Sequence, residues 1–69
     1  MKQIGFYIKN IRKEKGLSQE ELSIKSDVSR PYIVQLETSR STKPSAQILY
    51  KIAKALNVNM ETLLNKKSL

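Results

Sequence analysis

Apolar residues recur at three- and four-residue spacing along five successive stretches of this sequence, and none reads as a strand. A period near 3.6 builds helices that each bury one stripe, whereas a half-buried strand needs a period of two. The pattern predicts an all-α chain with helices over about 3–15, 18–25, 29–38, 45–56 and 59–66. In the first, Ile4, Ile8 and Ile11 form the stripe, Phe6 and Tyr7 fall off it, and Gly16 is the stop after Lys13 and Lys15. The second opens on Ser18-Gln19-Glu20-Glu21, a capping box, with Leu17 and Leu22 placed as a hydrophobic staple. The third opens at Ser29, with Ile33 and Leu36 inward. Pro31 is tolerated because first-turn amides have no helical partner, and it biases Arg30 away from helical angles. A polar loop, 39–44, leads to the fourth helix, whose inward residues are Leu49, Ile52, Ala53 and Leu56. Asn59 caps the fifth, with Glu61 in its first turn and Leu63 and Leu64 on its apolar side.

Composition narrows the chemistry. With 69 residues and no cysteine, one domain must fold on its apolar core alone, without a disulfide or a zinc thiolate. The absence of histidine removes the commonest general base and metal ligand. Glu20 and Glu21 read as a cap and a solvated face, so no enzyme, cofactor or metal is expected. Thirteen Lys and Arg against six Asp and Glu leave a net charge of +7. Nucleic acid is the first partner such a field suits, and an anionic membrane surface the second; a merely soluble basic domain is the plain alternative. No apolar run approaches the ~20 residues of a membrane span, and no signal-peptide core follows Met1. A cytoplasmic protein is expected.

The second and third helices carry the functional signal. Only Ser26, Asp27 and Val28 join them, and so tight a connection forces the sharp crossing of a helix-turn-helix. Val28 can sit beneath the turn while Ile33 and Leu36 pack against Leu22. Arg30, Pro31, Tyr32 and Gln35 are then left facing outward. Arginine pairs bidentately with guanine and glutamine with adenine, and Tyr32 offers a thymine methyl an apolar face or a phosphate a hydroxyl. On this helix alone, a solvated polar face accounts for the same residues.

Three segments resemble the Cro/repressor (XRE-like) helix-turn-helix family of bacteria and phages. They are Arg12-Lys13-Glu14-Lys15-Gly16-Leu17-Ser18-Gln19-Glu20-Glu21-Leu22, then Val28-Ser29-Arg30-Pro31-Tyr32-Ile33 with Gln35-Leu36-Glu37, and Ile52-Ala53-Lys54-Ala55-Leu56-Asn57-Val58. The resemblance runs in register from Ile8 to Leu64. It implies a compact five-helix bundle of the phage-repressor type whose third helix enters the major groove, usually as a dimer on a pseudo-palindromic operator. It implies that Gln19 anchors a phosphate and that Arg30, Pro31, Tyr32 and Gln35 read bases. It places backbone contacts on Arg40, Thr42 and Lys43, to which Ser29 at the helix opening is added, and a structural ion pair on Arg12 and Glu37. The sequence departs from the family at Asp27, where a turn glycine is usual, at Ser23 in place of alanine, and at Thr38-Ser39 in place of Asn-Gly.

The expected function is operator binding by a transcription regulator. A protein-interaction adaptor or antitoxin module on the same fold is the alternative. One recognition helix reads too few base pairs to single out a site, so a homodimer on double-stranded DNA is expected. Its interface is placed at the turn into the fifth helix, on Val58, Met60 and Leu64; burial of those residues in the core is the competing reading.

Overall fold

The computed structural model describes residues 4–39 and 43–64 of the chain. Five helices follow one another: α1 (Ile4–Glu14), α2 (Gln19–Ser26), α3 (Arg30–Thr38), α4 (Ala46–Leu56) and α5 (Met60–Leu64). No strand occurs among the described residues. The expected end of the fifth helix, near 66, lies outside them.

Local chemistry explains the boundaries. Ser18, Ser29 and Ser45 each precede a helix in extended conformation, and each hydroxyl accepts a first-turn amide, from Glu21 at 3.0 Å, Tyr32 at 3.3 Å and Ile48 at 3.2 Å. The helices therefore begin one residue after these serines, because a cap lies outside helical angles. Ser18 also receives the reciprocal bond, its amide donating to Glu21 Oε1 at 2.8 Å. Arg30 takes the first helical position even though Pro31 follows it. A proline's bias on its neighbour is a preference, and the Ser29 cap outweighs it here.

Three helices end on a left-handed residue: Gly16 (φ 72°), Asp27 (φ 61°) and Asn57 (φ 61°). At the first and last of these, the next amide reaches back five residues, Leu17 N–H to the Arg12 carbonyl and Val58 N–H to the Ala53 carbonyl. This is the Schellman arrangement, which satisfies carbonyls the helix would otherwise orphan.

The core is drawn from every helix. Ile8, Leu22, Ile33, Leu36, Ile52, Leu56 and Leu63 are fully enclosed, with Val28, Leu49 and Ala53 nearly so. Each fully buried leucine or isoleucine contributes about 1.5–3 kcal/mol of transfer free energy. Ile4, Ile11 and Leu17 are half-buried against this core. Phe6 stays 40% exposed, its ring edge-on to Tyr7 with centroids 5.5 Å apart.

Helix α1 packs on α3, α2 packs on both α3 and α4, and α5 closes against α1 and α4. Gly5 permits the first of these contacts: a Cβ built there would lie 1.8 Å from the Leu36 carbonyl oxygen. No side chain fits that gap, so the two backbones meet directly.

Candidate nucleic-acid interface

The α2–turn–α3 unit is built from the turn outward. Asp27 supplies the left-handed residue, and its amide donates to the Ser23 carbonyl at 2.9 Å. Aspartate tolerates this conformation better than most residues, which is how the turn survives without glycine. Ser23 contributes more than a small packed residue: its hydroxyl donates to the Val28 carbonyl at 2.6 Å, closing the turn from the α2 side. Val28, 7% exposed, lies beneath. The crossing angle is thus held by hydrogen bonds on one side and apolar contact on the other.

Beyond the turn, α3 presents Arg30, Pro31 and Gln35 to solvent. Tyr32 differs from the outward placement expected of it: it is half-buried and packs against the core. Its position one residue before Ile33 puts it on the border of the buried stripe, so the ring covers the core edge. Ser29 is exposed, and its oxygen already accepts the Tyr32 amide. Lys43 is exposed just before α4. Arg40 and Thr42 lie outside the described residues.

Arg12, Gln19 and Glu37 meet where α1, the start of α2 and the end of α3 come together. Arg12 Nε donates to Glu37 Oε2 at 2.8 Å and a terminal guanidinium nitrogen donates to Oε1 at 3.1 Å, a bidentate pair. The other terminal nitrogen donates to the Leu17 carbonyl at 2.7 Å, just ahead of α2. The side chains are 9% and 0% exposed, so solvent screens this pair little. Gln19 Nε2 donates to Glu37 Oε1 at 3.0 Å. Glu37 thereby links α1, the start of α2 and the end of α3. The Gln19–Glu37 bond is not visible in the sequence, because neither local spacing nor composition pairs positions on separate helices.

A second surface lies where α4 turns into α5. Val58 and Met60 are half-buried against the core and also line an open groove of about 540 Å³, with Tyr50, Lys54 and Glu61 at its walls. The Lys54 ammonium sits 5.8 Å from the centre of the Tyr50 ring, a cation–π contact on an exposed side chain. The side chain of Leu64 lies outside the described residues.

Among the described residues no group of three or more acidic or sulfur ligands could hold a metal ion, and no helix is long and apolar enough to cross a membrane.

Comparison with known proteins follows the same outline. A helix-turn-helix family model matches residues 8–63. The chain is 45% identical over 64 residues to the HTH-type transcriptional regulator SinR of Bacillus licheniformis, covering 93% of this chain and 58% of that protein. It therefore spans less than two thirds of the length of that relative. A crystal structure of SinR, described as the master regulator for biofilm formation, in complex with DNA superposes with a TM-score of 0.87 at 43% identity, covering 91% of this chain and 100% of that one. The N-terminal DNA-binding domain of SinR from Bacillus subtilis gives 0.87 at 42% identity, with 96% of each chain covered.

Proposed function

We propose, since the chain belongs to the Cro/repressor-type helix-turn-helix family, that it is a sequence-specific duplex-DNA reader serving transcription regulation. The observation that carries this reading is the exposed edge of α3, with Arg30 and Gln35 outward, on a helix whose Glu37 is bonded to Gln19 at the start of α2. Arg30 and Gln35 read base edges in the major groove. Pro31 and Tyr32 give apolar contact, and the half-buried ring of Tyr32 offers its free edge to a thymine methyl. Gln19, Ser29, Arg40, Thr42 and Lys43 hold the phosphate backbone. The net charge of +7 supplies the sequence-independent attraction. Two copies bind a pseudo-palindromic site, meeting through the Val58–Met60 surface, with Leu64 as a further contact. The function requires no catalysis and no cofactor, and its setting is the cytoplasm.

Selection of bound sites from a random DNA pool tests this directly. One motif with inverted half-sites is expected. Equal retention of all duplexes at physiological salt would leave only charge-driven binding. On the selected site, Arg30→Ala or Gln35→Ala should cost about 1–3 kcal/mol and relax preference at particular base pairs. Lys43→Ala should weaken every duplex about equally and lower the salt slope by about 1. Quantitative binding titrations across a panel of base-substituted sites separate the two behaviours.

A further inference from the structure

We propose that Glu37 is a positioning residue for DNA anchoring: its buried carboxylate fixes the orientation of the Gln19 amide, so that Gln19 presents a pre-aimed N–H to a backbone phosphate. This rests on the DNA-binding reading and extends it, because it makes the buried ion pair part of the binding apparatus.

The geometry supports each step. A glutamine amide has two faces, an oxygen that accepts and a nitrogen that donates twice, and a free side chain samples both. A phosphate accepts only, so an anchoring glutamine is productive only with its nitrogen turned toward DNA. Glu37 Oε1 lies 3.0 Å from Gln19 Nε2, and a carboxylate cannot donate to the amide oxygen. The flipped amide would set two oxygens against each other. One N–H is thus spent on Glu37, which leaves the second for a ligand of this half-buried residue.

Glu37 cannot turn away, because Arg12 clamps it through both oxygens at 2.8 and 3.1 Å and is itself held by the Leu17 carbonyl at 2.7 Å. The clamp also balances the carboxylate's charge, so that a negative side chain behind the DNA-facing surface does not repel the phosphate. Preorganisation of this kind improves binding by removing the ordering cost from the binding step, without adding a contact to DNA.

The decisive experiment is a double-mutant cycle on a short mixed-sequence duplex, using the full chain at a temperature where circular dichroism shows every variant folded. Gln19→Ala should weaken binding by about tenfold or more, as for a hydrogen bond to a charged group. Glu37→Asp, which keeps a negative charge opposite Arg12 but shortens the reach to both Arg12 and Gln19, should weaken binding several-fold in the native background. In the Gln19→Ala background, the same change should have almost no effect. Equal effects of Glu37→Asp in both backgrounds would mean that Glu37 acts only through the fold, and would overturn the proposal. A chain that binds all duplexes alike would defeat the sequence-specific reading while leaving this cycle interpretable.

A second measurement needs no variant of the buried pair. In the free protein, one proton of the Gln19 side-chain amide should be shifted downfield and protected from exchange. The amides of the exposed Gln35 and Gln47 serve as internal references. A Gln19 amide indistinguishable from those two would equally refute the orientation lock.

Discussion

At the scale of single residues, two sites should dominate the response to mutation, one of them a pair. Arg12 and Glu37 bury opposite charges in one bidentate contact, with side chains 9% and 0% exposed. Removing either partner strands the other, which costs about 3–5 kcal/mol for a buried pair, against about 0–1 kcal/mol for an exposed one. Chemical denaturation of Arg12→Ala or Glu37→Ala should therefore show a loss in the upper range, large against the few kcal/mol that a domain of this size can hold. Gly5 is the other position. Alanine there would drive its methyl group into the Leu36 carbonyl, a backbone atom that no rotamer change can move. Gly5→Ala should cost about 1–3 kcal/mol, as overpacking does, even though it improves helix propensity. A midpoint of unfolding unchanged or raised by Gly5→Ala would show that α1 and α3 shift apart freely.

At the scale of elements, the turn makes the sharper prediction. Asp27 holds φ 61°, where glycine is unstrained and β-branched residues are most penalised. Asp27→Gly should leave stability within about 1 kcal/mol, whereas Asp27→Val should cost about 1–2 kcal/mol and loosen α2 against α3. Thermal melts of the two variants check the order. The capped helices were legible in the sequence because their signals are local: Ser18 with Glu21, and Ser29, Ser45 and Gly16 each act within a turn of themselves. The turn at Asp27 was legible for the same reason. Apart from the Arg12–Glu37 pair, which only the family resemblance placed, the contacts that lock the elements together were not. Gly5 meets Leu36, and Gln19 meets Glu37, across helices, and no spacing rule joins such positions. Tyr32 went astray on its face because it borders the buried stripe, where one residue's rotation decides between core and solvent. Ile24, 74% exposed on α2, shows the limit from the other side, since an apolar side chain need not be inside.

At the scale of the whole molecule, the extents of 28 × 24 × 21 Å set the terms of assembly. Two recognition helices reading successive major grooves on one face of DNA lie about 34–36 Å apart. Two bodies of this size at that spacing offer each other a limited contact, centred on the Val58–Met60 surface. The free chain should be largely monomeric in sedimentation experiments and pair on the DNA. Half-sites should lie about 10–10.5 base pairs apart, and inserting about five base pairs between them should abolish cooperative binding. With about 6–10 phosphates contacted, affinity should fall by ~10³–10⁵ between 50 and 200 mM salt. A shallow salt slope in a titration series would show that fewer cations reach the backbone.

The missing methyl at Gly5 also governs what can be transplanted. Exchanging the outward residues of α3 leaves Ile33, Leu36 and Glu37 on its inner side, so, if those outward residues read bases as proposed, a new preference should be graftable without disturbing the seat. Exchanging the entire helix is different. A donor helix shaped to rest on a bulkier neighbour would leave a gap over Gly5, and this helix moved to a scaffold with alanine at that place would ride high. Chimaeras should keep their donor's preference only when position 5 travels with α3.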